Sequence, residues 1–241
     1  AMGSAFVFIV IFLMCFILPI WFKQDMNYQD PTQKNIGPGF SFLSVPKELN
    51  GNVKAIGVGP TFGVGIDNDG VVYEWGSLTD RLKQIPADMG KVEDIAVGQD
   101  HVLAVNDEGK VFTWGFNRMN LNRIPAEVQN KKVKSIAAGY QVSIAVLEDG
   151  SIVKWGNENT VDIVASRAKD ENVKLVKTNI QTGLALTEDG KLLPLAKRAT
   201  AFDAIPDEIQ GKVQDFVLTD KTALALLDDG TIVCWGGNDY H

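Results

Sequence analysis

The sequence predicts an all-β fold, a five-bladed β-propeller, for residues 37 to 241. A unit of 39 to 41 residues occurs five times, and 22 residues separate its opening valine from its closing Trp position in every copy. Each copy also contains an Asp-Gly or Glu-Gly pair, which closes a tight turn between two strands because glycine accepts a positive φ. Repeats of this length with several short strands are typical of propeller blades, which are arranged radially.

The constant part of each unit is predicted to form three strands, and all variation in length falls in the connection to the next unit. The units open and close, in order, at Val53 and Trp75, Val92 and Trp114, Val133 and Trp155, Val173 and Leu195, and Val213 and Trp235. Four connections carry a proline after Val or Ile, namely Pro46, Pro86, Pro125 and Pro206. Because proline cannot donate to a ladder, each connection is predicted to hold a fourth, edge strand.

The tryptophans that end four of the units are predicted to be structural blade residues. The same register in each unit suits packing between blades better than ligand binding. These residues are Trp75, Trp114, Trp155 and Trp235, while the fourth unit has Leu195-Ala196 instead.

Closure of the ring is predicted to involve the N-terminal side of the repeats. Only six residues follow Trp235, too few to complete its blade. Residues 39 to 52 carry Val45-Pro46 at the matching distance before Val53. We therefore expect this segment to supply a strand to the last blade.

The N-terminus predicts a membrane anchor. Residues 1 to 4, AMGS, have the form of a cloning remnant, and residues 23 to 36 form a polar linker. Residues 5 to 22 are an uncharged apolar run of 18 residues, enough for about 27 Å of helix against a hydrocarbon core of about 30 Å. We expect a single transmembrane helix with the propeller on the extracytoplasmic side. Its membrane-contacting residues are predicted to include Phe6, Ile9, Phe12, Phe16 and Trp21.

Other roles for this apolar run stay open. A cleaved signal peptide is one alternative, although the run is longer than the usual h-region of about 7–15 residues. A lipid-modified Cys15 is another, although apolar residues lie on both sides of it.

Composition and motif spacing exclude several functions. The formal net charge of −7 argues against nucleic acid as a partner, because such binding depends on Lys and Arg that displace counterions. Only two histidines are present, His101 and the terminal His241, and no spacing typical of a zinc site or a histidine-based triad occurs. We expect no enzyme activity, no metal and no cofactor, although a carboxylate pair in the central channel stays open.

The repeat resembles that of the regulator of chromosome condensation (RCC1) family. The resemblance is clearest in residues 95 to 117, IAVGQDHVLAVNDEGKVFTWGFN, where His101 occupies a position that the family often fills with histidine. The family typically has seven blades, whereas five are counted in this sequence. The resemblance implies a propeller that serves as a rigid platform for binding proteins.

Candidate partner-binding residues lie where the repeat pattern varies. Residues 115 to 123 contain Phe116, Arg118 and Met119, types enriched at interface centres. A second candidate is Lys197 with Arg198, in the unit that lacks Trp-Gly. We expect a non-catalytic accessory or scaffold subunit that docks on a membrane protein complex. The alternative is a surface receptor or inhibitor that binds a soluble protein or glycan on one propeller face.

Overall fold

The structure is a computed structural model that describes Phe12 and residues 45–157, 163–179 and 182–237. The chain divides into two compact units, Ala1–Ser41 and Phe42–His241. The predicted membrane span and linker lie outside the described residues, apart from Phe12. Within the described residues, no helix has the length and apolar character needed to cross a membrane.

In the second unit, the described residues form fifteen strands in five antiparallel sheets of three, one sheet for each predicted unit. In every sheet the strand order follows the chain. The strands of blades 1 to 5 are, in order, β1 (Ala55–Val58), β2 (Phe62–Ile66) and β3 (Val72–Gly76); β4 (Val92–Val97), β5 (His101–Asn106) and β6 (Val111–Gly115); β7 (Val133–Ala138), β8 (Val142–Leu147) and β9 (Ile152–Gly156); β10 (Val173–Thr178), β11 (Gly183–Thr187) and β12 (Leu192–Pro194); and β13 (Val213–Leu218), β14 (Thr222–Leu227) and β15 (Ile232–Gly236).

The predicted Asp-Gly and Glu-Gly turns lie between the second and third strand of each blade. Their glycines have φ values of 77° to 83°, a region that residues with a Cβ rarely adopt. The all-β repeat and its turn chemistry are therefore as predicted.

The predicted fourth strand is wrong for the connections before blades 2, 3 and 5, which the structure describes throughout. Helical turns follow three of the prolines instead: 3-10 turns at Lys47–Leu49 and Asp207–Ile209, and helix α1 at Ala126–Asn130. The connection before the fourth unit has no such proline, and it contains a 3-10 turn at Ala165–Ala168. Proline fixes φ near the helical value and lacks an N–H that a first turn would leave unpaired, so it begins a helical turn as readily as an edge strand.

The apolar core lies between blades. Between blades 2 and 3, for example, Leu103 and Val105 of β5 pack with Val133 and Ile136 of β7, and Val128 of α1 fills the same cluster. Among the described residues there are four such clusters, one for each consecutive pair of blades, and none joins blade 5 to blade 1.

The closing strand stays a prediction. The described part of the predicted segment, residues 45–52, contains no strand. Its Leu49 is buried, as are Met89, Val128 and Ile209 at the corresponding positions of three other connections. Residues 39 to 44 lie outside the described residues.

Candidate functional site

The loop that follows blade 2 has a defined backbone. At its start, the Phe116 N–H donates to the Asp100 carbonyl at 2.8 Å, and near its end the buried Leu121 accepts a 2.8 Å hydrogen bond from Trp155 Nε1. Between these two fixed points, Met119 and Asn120 have φ values of 55° and 60°. This bend leaves the Met119 side chain 54% exposed.

Two arginines flank one aromatic ring on this loop. The guanidinium carbons of Arg81 and Arg118 lie 4.6 and 4.5 Å from the centre of the Phe116 ring, within the range of a cation–π interaction. Arg81 comes from the connection between blades 1 and 2, where the buried Leu82 fixes the backbone. Neither arginine forms an ion pair with a described residue. We call Arg81, Phe116, Arg118 and Met119 the Arg–Phe–Arg surface.

Arg81 was missed by the sequence reasoning. Arg118 and Phe116 are neighbours in sequence, whereas Arg81 belongs to the preceding unit and reaches the ring only because consecutive blades lie side by side. Its position in the repeat could have indicated this role. Arg81 lies six residues after Trp75, in the variable connection that corresponds to the one containing Phe116 and Arg118 after Trp114.

The second predicted site is separate from this surface. Lys197 and Arg198 are exposed on blade 4, with blade 3 between them and blade 2. The Lys197 carbonyl accepts a 3.1 Å hydrogen bond from an Arg167 Nη. Leu195, which stands where other units have tryptophan, is fully buried.

Three of the four blade tryptophans are buried and donate hydrogen bonds across an interface. Trp155 and Trp235 donate to the carbonyls of Leu121 and Phe202 in the preceding connections at 2.8 and 2.9 Å. Trp114 instead donates to Glu74 Oε1 of blade 1 at 2.7 Å. Burial raises the pKa of Glu74, and the bond from Trp114 partly offsets this effect. Trp75 of blade 1 is only half-buried.

The first strands of the five blades line a central channel of about 670 Å³. Lys177 Nζ lies 2.6 Å from Asp215 Oδ1 within it. Burial raises the pKa of Asp94, the other lining carboxyl group. Because Lys177 binds Asp215, the described part of the channel does not present a free pair of carboxylates of the kind that glycoside hydrolysis uses.

His101 forms a buried polar contact between blades 2 and 3. Its Nε2 is hydrogen bonded to Ser143 Oγ at 3.1 Å, and its Nδ1 is 3.9 Å from Asp100 Oδ1. Both side chains of the His101–Ser143 pair are fully buried, so no substrate reaches the Ser143 hydroxyl. Among the described residues, no group of three or more His, Cys, Asp or Glu side chains is arranged to hold a metal ion.

Comparisons with known proteins agree with this geometry. The family model "Regulator of chromosome condensation (RCC1) repeat" matches residues 92–120 and 213–241, the segments that contain blades 2 and 5. The fold is an RCC1-like repeat propeller. A search of curated proteins found no significant match by sequence.

Several solved structures have a similar fold. The chain is similar to Prp20p from Saccharomyces cerevisiae (TM-score 0.61, 18% identity, 79% of this chain and 61% of that one). It is also similar to human WBSCR16 (0.60, 17%, 76% and 61%) and to the CRINKLY ectodomain of the Arabidopsis thaliana receptor kinase ACR4 (0.58, 16%, 76% and 65%). The chain spans less than two thirds of the length of each.

Proposed function

We propose that this chain is a non-catalytic, protein-binding propeller. In this proposal, residues 5 to 22 hold it in a membrane as a single-pass span, and the propeller lies on the extracytoplasmic side. There it docks as an accessory or scaffold subunit on a membrane protein complex. The observation that carries the proposal is the Arg–Phe–Arg surface.

The chemistry of this surface suits a protein partner. Phe, Met and Arg are enriched at the centres of interfaces, where a few such side chains supply most of the binding free energy. Stacking on Phe116 restricts the guanidinium groups of Arg81 and Arg118 before a partner arrives. Less side-chain entropy is therefore lost on binding.

The charge of the surface indicates what the partner presents. Two arginines without a carboxylate partner among the described residues lie on a chain of net charge −7. A carboxylate of the partner can form charge-assisted, bidentate hydrogen bonds with a guanidinium, while an apolar side chain covers Met119. The net negative charge of the chain would then discourage other acidic proteins and sharpen the choice of partner.

The positions of the side chains that could act in catalysis support the non-catalytic part of the proposal. Ser143 and His101 pack between blades, and Lys177 binds Asp215 in the channel. Related propellers support the protein-binding part by analogy, since Prp20p has been characterised for its binding to Gsp1p and histones. That analogy concerns the class of ligand and not its identity.

A second candidate function is capture of a soluble protein or glycan on one propeller face. A cavity of about 400 Å³ at one mouth of the channel favours it, with Tyr140, Gln99 and Asn179 among its lining residues. An aromatic ring beside amide groups is a suitable lining for a sugar. A Tyr140→Ala variant that loses a soluble ligand, while the Arg–Phe–Arg surface is intact, would favour this candidate.

The leading proposal is tested by cross-linking the full chain in native membranes and identifying what it captures. We expect the wild type to recover one protein complex, and an Arg81→Ala/Arg118→Ala double variant to lose it. Lys169→Ala is the control, because Lys169 is an exposed cation that lies outside both predicted binding sites. Equal recovery by the double variant would reject the surface, and a wild type that reproducibly comes away alone would reject the function.

A further inference from the structure

The interface between blades 3 and 4 contains a cleft of about 580 Å³. One wall is the turn and the start of β9, at residues 149–152. The other wall is the connection that precedes blade 4, at residues 165, 166 and 168–172. All of these lining residues belong to the described part of the chain.

Blades 3 and 4 are joined differently from the other consecutive pairs. In the other three pairs, the opening valine N–H donates to the turn glycine carbonyl of the preceding blade at 2.9 to 3.1 Å, as in Val92 to Gly70. The Val173 N–H donates instead to the Glu171 carbonyl of its own connection at 3.0 Å. The connection also has a small buried residue, Ala168, at a position where the other connections have larger ones; these are Leu49, Met89, Val128 and Ile209. Less of the chain therefore fills the space beside β9.

The outer edge of β9 presents backbone groups at this cleft. The Leu147 N–H of β8 donates to the Ser151 carbonyl at 2.9 Å. Because bonding alternates along an antiparallel pair, the next residue, Ile152, points its N–H and C=O away from β8. Neither group has a hydrogen-bond partner among the described residues. Ile152 lines the cleft, so it offers one donor and one acceptor side by side.

Blade 4 shows which chemical group fits such an edge. Leu192 has the same position in blade 4 as Ile152 has in blade 3. Its N–H donates to Gln210 Oε1 at 2.9 Å, and its carbonyl accepts from Gln210 Nε2 at 3.1 Å. A single carboxamide thus satisfies both edge groups, and Leu192 is only 1% exposed.

The connection beside Ile152 has no such carboxamide at the matching place. Gln210 follows the buried Ile209, whereas the residue after the buried Ala168 is Lys169. An ammonium group has no acceptor for the Ile152 N–H, so this lysine takes no part in the contact. The position that Gln210 fills in blade 4 is therefore open to a carboxamide from another molecule in blade 3.

The charge of the cleft indicates what surrounds that carboxamide. Asp149 is paired with Lys131, at 3.3 Å. Asp170 and Glu171 are exposed, and neither forms an ion pair with a described residue. A Lys or Arg of the ligand would complement these two carboxylates, and an acidic ligand would be repelled.

We propose that this cleft binds a segment of a partner protein that presents a glutamine side chain, with a Lys or Arg close to it in sequence. The glutamine carboxamide takes the place at Ile152 that Gln210 takes at Leu192. The basic residue lies near Asp170 and Glu171. The cleft is separate from the Arg–Phe–Arg surface on blades 1 and 2, and the inference does not depend on the proposed function.

A short peptide gives the first test. The probe is a fluorescent Lys-Ala-Gln-Ala-Lys peptide whose blocked ends carry no primary amide, titrated with the full chain in detergent and followed by anisotropy. We expect saturable binding that weakens about tenfold or more when leucine replaces the glutamine, because both hydrogen bonds are lost. Methylation of the glutamine's backbone nitrogen should leave binding unchanged, since the side chain makes the contact.

Variants of the chain locate the site. Ile152→Pro removes the edge N–H, and we expect it to weaken binding about tenfold. Lys154→Pro is the matched control, because residue 154 also points outward from β9 but does not line the cleft, and blade 4 has Pro194 at that position. It should bind the peptide as the wild type does.

A charge variant covers the case in which Ile152→Pro does not fold, which circular dichroism checks. Asp170→Asn/Glu171→Gln keeps the shape of both side chains, and Asn accepts the φ of 69° at residue 170. We expect this double variant to weaken binding about threefold to tenfold and more so at low salt.

Three outcomes overturn the inference. Absence of saturable binding to the wild type would mean that the chain itself or water satisfies Ile152. Binding that tolerates leucine but not backbone methylation would mean that the peptide adds as a β-strand. Equal binding by Ile152→Pro and Lys154→Pro, or no effect of the charge variant, would place the contact elsewhere. An Arg81→Ala/Arg118→Ala variant should bind the peptide normally, so failure here is distinguishable from failure of the Arg–Phe–Arg surface.

Discussion

Ile136 and Ile56 occupy the same position of the repeat, but we expect the same substitution to have very different effects on stability at the two sites. Ile136 is 6% exposed between blades 2 and 3, and Ile56 is 56% exposed on blade 1. Replacement by alanine removes three carbons, which is about 2.4 kcal/mol of transfer free energy when the side chain is fully buried. At Ile136 a cavity adds to this value, so we expect the free energy of unfolding to fall by about 3 kcal/mol.

At Ile56, less than half of the side chain is out of water and no enclosed cavity forms. We therefore expect Ile56→Ala to lower the free energy of unfolding by only about 1 kcal/mol. Urea unfolding followed by tryptophan fluorescence measures both variants. Equal losses for the two variants would refute the reasoning, because they would mean that Ile56 is buried in solution.

Three further predictions concern the surface, pH and turns. Phe116→Leu removes the ring that orders the two arginines. We expect it to weaken partner capture by about fivefold to thirtyfold, measured as recovery of the cross-linked complex, because each of the two cation–π contacts contributes about 0.5–1 kcal/mol. Hydrogen bonds from Ser151 lower the pKa of Asp149 to about 2, so its stabilising effect is complete above about pH 4 and is lost as pH falls towards 2; Asp149→Asn should flatten that part of the stability profile in thermal melts. Gly70→Ala should lower the melting temperature more than Gly230→Ala, because a Cβ at Gly70 would meet the Val92 backbone N at 2.7 Å, whereas none is close to Gly230.

Each of these predictions has a contradicting result. Unchanged capture by Phe116→Leu would mean that the ring has no part in ordering the arginines. If Asp149→Asn and the wild type lose stability in parallel between pH 4 and 2, the carboxylate is not held by Ser151 in solution. Equal melting temperatures for the two glycine variants would show that blade 5 has a neighbour as close as that of blade 1.

Local chemistry explains which parts of the fold the sequence predicted. The glycine turns depend on backbone angles that few other residues adopt, so Gly70 and its counterparts located the strands reliably. Proline is compatible with both an edge strand and the first turn of a helix. The segment after Pro125 forms a helical turn where a strand was predicted. Ile56 and Ile136 occupy the same repeat position but differ in exposure, a difference that the repeat pattern does not determine.

The candidate surface was predicted only in part for a related reason. Phe116, Arg118 and Met119 lie together in one loop, and their residue types indicated an interface. Arg81 joins them through the stacking of blades 1 and 2, a contact between positions 35 residues apart in the sequence. Whether two side chains from different connections stack on each other depends on the distance between the blades, and the repeat length alone does not determine that distance.

The placement of every apolar cluster between two blades has a consequence for how such a chain changes in evolution. Since no blade has a core of its own, a blade interacts strongly only with its immediate neighbours. Duplication or loss of one whole internal unit would form the same kind of interface again, because each apolar cluster among the described residues uses the same repeat positions. The number of units can thus vary while the interfaces and the loops of the remaining blades keep their structure.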